Sequence, residues 1–348
     1  MYVIRISTFI MFLTGFVCTL FAQEEDMETF KQSLSHTEDK EFVLDEIFQF
    51  LKNKEGVKND LYFALEESIA AKDSLHQARF LILLSTETFK ENDINASLAF
   101  AYEALGIVEQ LKNDYELLVW VHLRLSLALK EMGAFAETIE HRKAQKLYLE
   151  KQKKFSKAAN INNQIGKLYL RIGDYDTALV YFQKYLEFEL THNNPEGVAF
   201  SHNNIGFTYL EKGDYKLAQE FFEKSKLFYL YSSSTKGRIM LTVVQNNLAY
   251  CLINLGKYQK ALEFANDALR SAKEIENWLN ATRSSILHAR IYHKKGDLNR
   301  ANLYLDSAFM YFNMQRSRKD KHIEELLKIY NLKSDLLKDM RDYGQALH

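Results

Sequence analysis

Three pairs of carboxamide side chains stand at matching distances ahead of three glycines. Asn163, Asn203 and Asn246 lie ten residues before Gly173, Gly213 and Gly256, and Gln164, Asn204 and Asn247 lie nine before them. A carboxamide donates through its NH2 and accepts through its oxygen, so it can satisfy the C=O and N–H of an extended peptide backbone whatever that peptide's sequence. A ladder of such groups at a fixed spacing is chemistry for holding a peptide. The same groups can instead bond neighbouring helices and fix their stacking. Both readings stand for the first member of each pair, and ligand contact is preferred for the second. Four residues after the first amide come Lys167, Phe207 and Tyr250, a mix of cation and aromatics that suits peptide side chains or packing between neighbours. Arg124, at the position of Gln164, and Arg290, at that of Lys167, are available to carboxylates or to solvent.

No other chemistry competes with this one. The sequence holds no Gly-rich phosphate loop, no His-Glu-x-x-His, no Gly-x-Ser-x-Gly and no cysteine pair, so no catalytic residue, cofactor or metal is expected. His288 and His293 are five residues apart, a poor spacing for two ligands on one helix face. Asn95-Ala96-Ser97 and Asn280-Ala281-Thr282 fit a glycosylation sequon but read as ordinary polar residues in a bacterial chain. Lys plus Arg number 45 against 46 Asp plus Glu, a net charge of -1 without basic blocks, which argues against nucleic acid as a partner.

The elements that position these amides come from a repeat. Gly133, Gly173, Gly213, Gly256 and Gly296 follow one another at 40, 40, 43 and 40 residues, five of the chain's 13 glycines in one register. Around them Ile165-Gly166 through Gly173-Asp174-Tyr175 and Ala178 returns as Ile205-Gly206 through Gly213-Asp214-Tyr215 and Ala218, then as Leu248-Ala249 through Gly256, Tyr258 and Ala261. A weaker copy runs from His288-Ala289 through Gly296 to Ala301. Each unit reads as two helices: apolar and small residues at helical period, a glycine to end the first helix, and a second apolar face on Tyr175, Ala178, Phe182 and Tyr185. Ala178, Ala218, Ala261 and Ala301 mark where two helix axes approach closely, and so do Gly166, Gly206, Ala249 and Ala289. One proline, Pro195, in 348 residues leaves such a chain almost free of breakers. Its length exceeds two ~150-residue domains, yet the period makes it one array.

This pattern of a Leu-Gly pair followed by Tyr, Gly, Tyr, Ala and Phe resembles the tetratricopeptide repeat, closely from about Asn160 to Phe309 and more loosely on both sides. Upstream, Thr138 and Arg142 stand where Ala and Phe belong, so the repeat around Gly133 is degenerate. Leu84, Ser97, Leu98, Ala101, Ala104 and Leu105 suggest one before it, and Phe42 to Leu51 with Leu61 to Ala71 a first. The period exceeds the 34 residues usual for the family, so the helices or links such as Thr191 to Gly197 and Ser232 to Gly237 are longer. The resemblance implies an all-α, right-handed superhelical solenoid of antiparallel helix pairs, six or seven repeats long, with the amides on its concave surface. The kinesin light chain and bacterial peptide-sensing regulators are similar in placing Asn there.

Residues 1–22 carry one charge, Arg5, then an apolar run of about 16 residues from Ile6 through Phe21, the layout of a secretory signal peptide with Ala22 as the expected cleavage position. An uncleaved anchor is the alternative, although the run falls short of the ~20 residues a span needs. Removal would leave Cys251 as the only cysteine, so an exported, periplasmic or cell-envelope protein without a disulfide is expected. The array then covers residues 23–348. Arg341, Asp342 and Tyr343 read as the turn into another second helix, which would leave the last repeat truncated. The expected function is a protein or peptide recognition module, binding an extended segment through Asn163, Gln164, Asn203, Asn204, Asn246, Asn247, Lys167 and Tyr250. Two alternatives stand beside it. One is the input region of a membrane-bound histidine kinase or transcription regulator whose output domain follows residue 348; the other is self-association through exposed end repeats.

Overall fold

A computed structural model describes residues 27–36, 39–54, 56–111, 114–314 and 323–346. The expected leader and the final two residues lie outside them. Among the described residues the chain is all-α, 85% helical, with sixteen helices and no strand. No helix among them is long and apolar enough to cross a membrane.

The chain divides into two compact units, residues up to Ile161 and from Asn162 on. The first contains α1 (Met27–His36), α2 (Lys40–Leu51), α3 (Lys58–Ala70), α4 (Ser74–Lys90), α5 (Ile94–Val108), α6 (Tyr115–Glu131) and α7 (Phe135–Lys151). Helix α8 (Phe155–Ile172) carries the boundary. The second continues with α9 (Tyr175–Thr191), α10 (Pro195–Glu211), α11 (Tyr215–Tyr229), α12 (Thr235–Asn254), α13 (Tyr258–Glu274), α14 (Trp278–Lys294), α15 (Leu298–Met314) and α16 (Ile323–Ala346). Within each unit consecutive helices form hairpins, and each hairpin packs on the next, as in a solenoid.

The turn glycines do what their register implies. Gly133, Gly173, Gly213, Gly256 and Gly296 all take positive φ, between 73° and 85°, a region where a Cβ would be strained. Asp174 then donates its amide to the carbonyl of Tyr169 at 3.0 Å, closing a Schellman turn. Its carboxylate accepts from the amide of Thr177 at 3.1 Å and caps α9. Asp214 repeats both contacts. The Gly-Asp pair thus stops one helix and starts the next in two residues.

Small residues sit where helices approach. A Cβ on Gly166 would lie 2.8 Å from the Phe182 ring, and one on Gly206 3.0 Å from that of Phe222. Where Ala249 and Ala289 replace these glycines, the facing residue shrinks to Ala265 and Leu305, all buried. One volume is filled in each hairpin, divided differently between the two helices.

Two expectations need correction. The extra length of the repeat lies mainly in the helices, mostly 17 residues each in these repeats: the link of residues 230–234 between α11 and α12 is the longer one expected around Ser232, but between α9 and α10 only His192, Asn193 and Asn194 intervene. Asn193 closes that link at φ 51° and the carboxamide of Asn194 caps α10 above Pro195, so three residues suffice. The turn expected at Arg341–Tyr343 does not form either, because α16 runs unbroken to Ala346. Arg341 occupies the glycine position, and an arginine there favours continued helix over positive φ.

Candidate functional site

The carboxamides are placed by α8, α10 and α12, the first helices of three successive hairpins. Their positions ten and nine residues before the turn glycine fall where one first helix meets the next. In consequence the amides bond to one another. Asn204 donates its Nδ2 to Oδ1 of Asn163 at 2.7 Å, and Asn247 donates to Oδ1 of Asn203 at 3.3 Å. The second member of each pair reaches back to the first member of the preceding repeat. Asn163, Asn203, Asn204 and Asn246 are buried, and Asn247 and Gln164 are half-buried.

The ladder changes partners in the next step. Nine and ten residues before Gly296 stand Leu287 and Ile286, which offer no amide. Instead Ser284 donates to Oδ1 of Asn246 at 2.8 Å, and Asn280 donates to Oγ1 of Thr242 at 2.8 Å. Ser284, Asn280 and Thr242 stand outside the register of the paired amides, so nothing in the sequence marks them as part of the ladder.

Beside this ladder the second unit has a cleft of about 540 Å3. Asn203, Asn204, Asn246, Asn247 and Tyr250 line it, together with Phe207, Arg283 and Arg290. Five of the eight residues expected at a binding groove are thus brought to one cleft. Asn163 is held behind it by Asn204. Gln164 and Lys167, on α8, do not line it; the ammonium of Lys167 is exposed and sits 4.8 Å from the centre of the Phe200 ring. Arg290 stacks its guanidinium on Tyr250 at 5.2 Å, which leaves its N–H edges to other groups.

The opposite wall is α16. Glu324, Glu325 and Lys328 line the same cleft, and Arg283 donates Nε at 2.8 Å and a terminal nitrogen at 2.6 Å to Oε1 of Glu325. The Glu325 side chain is only 3% exposed, and among the described residues the cation that meets this buried charge is Arg283. Burial raises the pKa of Glu211 at the end of α10, with Glu324 adding to the rise and Lys328 opposing it. The hydrogen bond from Lys328 lowers that of Glu324. Arg283, Glu211 and Glu325 carry no repeat register, so only the fold brings them together.

His288 is buried, stacked on Tyr304, with Nδ1 2.9 Å from the carbonyl of Ser284 and Nε2 2.7 Å from Asn266 Oδ1. Burial lowers its pKa. His293 meets Asp339 at 2.6 Å. The two imidazoles thus serve separate contacts.

Two stretches, residues 157–226 and 241–309, match the family model of the tetratricopeptide repeat. No curated protein matches the sequence. Among solved structures, the chain is similar to a Signal Transduction ATPase with Numerous Domains protein with a tetratricopeptide repeat sensor from Pyrococcus horikoshii. Identity is 18% and the TM-score 0.65, over 90% of this chain and 46% of that one. It is similar to the apo form of the quorum sensor NprR from B. thuringiensis, at 16% identity and TM-score 0.57, over 88% of this chain and 78% of that one. NprR in complex with its cognate peptide NprX gives 16% identity and TM-score 0.53, over 92% and 86%.

Proposed function

As a member of the tetratricopeptide repeat family, the chain is, we propose, a recognition module that holds a peptide or partner segment in the cleft of its second unit. One observation carries the reading: Asn203, Asn204, Asn246, Asn247 and Tyr250 converge on a cleft of about 540 Å3. Carboxamides offer backbone hydrogen bonds there, Tyr250 and Phe207 offer apolar surface, and Arg283 and Arg290 offer charge. The half-buried Asn247 is the amide most available to a ligand, since the other three are largely committed to the ladder. NprR, whose fold this chain shares, takes its peptide NprX, which supports a peptide as the class of ligand. No catalytic role is assigned to the cleft.

The location on the exported side of the membrane rests on the leader at residues 1–22 and belongs to the same proposal. A second reading is the input region of a larger signalling protein; the likeness to the Pyrococcus horikoshii ATPase with a tetratricopeptide repeat sensor, 46% of whose chain is covered, favours it. An apolar run and kinase or helix-turn-helix motifs in the reading frame beyond residue 348 would decide for it.

Selection from a random peptide library tests the first reading. Binders are expected, and the pair Asn247→Ala and Arg290→Ala should weaken them at least tenfold while helical circular dichroism stays unchanged. Binders indifferent to these substitutions, or none at all, would sink the reading.

A further inference from the structure

The hairpin α6–α7 of the first unit departs most sharply from those of the second at the buried position nine residues after its turn glycine. At that position Phe182, Phe222, Ala265 and Leu305 face the first helix of their hairpins; after Gly133 the residue is Arg142, 7% exposed. On the facing helix Ser126 stands where Gly166, Gly206 and Ala249 stand in the others, and is fully buried. A guanidinium therefore occupies a place built for an apolar side chain. Among the described residues it donates one hydrogen bond, to Oε1 of Gln145 at 2.8 Å.

A second guanidinium adds to the charge. Arg124, on α6, has its Nε buried without a hydrogen-bond partner, and its positive charge acts on Arg142. Burial first, and then the charge of Arg124, bring Arg142 down to about 10; burial lowers Arg124 as well. Among the described residues neither arginine has a carboxylate partner. Two desolvated like charges with open donors cost stability unless a counter-charge compensates them. The forked N–H groups of arginine match the paired oxygens of a carboxylate or phosphate.

We propose that Arg124 and Arg142 form a binding site for one oxyanion group, the carboxylate or phosphate of a small molecule, entered from the partly exposed side of Arg124. The site lies wholly within the first unit and is independent of the cleft. Gln145 fixes Arg142 from behind, and the oxyanion takes the remaining donors, including the orphaned Nε of Arg124.

Thermal unfolding of the full chain tests this, with inorganic phosphate and acetate titrated separately against sodium chloride at equal ionic strength. A saturable rise in Tm is expected with at least one of the two anions, together with slower amide exchange in α6 and α7. A response to phosphate alone assigns a phosphate ligand, and one to acetate alone a carboxylate; both support the site. Arg124→Gln should remove the response. Arg142→Phe, which places there the residue of the α8–α9 and α10–α11 hairpins, should remove it as well while raising Tm in chloride. No saturable rise over chloride with either anion, or a rise that survives Arg142→Phe, overturns the proposal.

Discussion

Asn204 donates its side-chain amide to the Oδ1 of Asn163 at 2.7 Å, across two successive first helices. With Asn163 only 4% exposed, the acceptor has no access to bulk water once that donor is gone. Asn204→Ala should therefore cost about 1–3 kcal/mol. In a double-mutant cycle with Asn163→Ala the two changes should couple by about 0.5–3 kcal/mol. Urea denaturation of the four proteins measures both. Additive losses would show that the ladder does not hold the repeats together.

The pair Gly166 and Phe182 has no spare volume, because a Cβ at Gly166 falls 2.8 Å from the ring. Gly166→Ala alone should destabilise by about 1–3 kcal/mol. Adding Phe182→Leu reproduces the Ala289 and Leu305 combination found two hairpins later than Gly206. The double variant should recover most of the loss, as read from the denaturation midpoint.

Two glycines should respond to alanine with opposite sign. Gly213 sits at φ +85° with open space around it, so Gly213→Ala is strained by backbone alone, at about 1–2 kcal/mol. Gly106 is exposed, helical and free of any neighbour within 4 Å. Gly106→Ala should stabilise by about 0.5–1 kcal/mol. Paired melting curves check the two signs.

Acid should weaken the first unit through His122. Its ring meets His141 at 3.0 Å between Nδ1 atoms, and burial, then the charge of His141, lower its pKa to about 4. The unfolded chain, with an ordinary pKa near 6.5, binds a proton in the window from about 6.5 down to 4 that the folded unit refuses. Stability contributed by neutral His122 is thus present above pH 6.5 and lost as pH falls through that window. His122→Gln should flatten the slope of stability against pH over it; an unchanged slope would show that His122 is not the source.

Arg283 supplies the described cation against the buried carboxylate of Glu325. Arg283→Ala should cost about 1–3 kcal/mol, concentrated where α16 meets the cleft. Hydrogen exchange should quicken in the first turns of α16 while the amides of α12 keep their rates. If the two helices quicken together, α16 is no separate wall.

The sequence by itself determined the repeat, the helix pairs and the turns. Gly173-Asp174-Tyr175 and its copies encode a positive-φ stop, an N-cap and an apolar start within three neighbouring residues, and such local chemistry is legible without a fold. It also marked Asn203, Asn204, Asn246 and Asn247 as equivalent. What it left open was where an equivalent side chain spends its hydrogen bonds, since that depends on the offset between adjacent helices. The tertiary structure decided that Asn204 turns to Asn163 and Asn247 to Asn203, that Lys167 stays outside the cleft, and that Glu325 closes it from 42 residues beyond Arg283. Periodicity reports contacts that recur with the repeat; a charge pair made once, between helices that share no register, leaves no period to read.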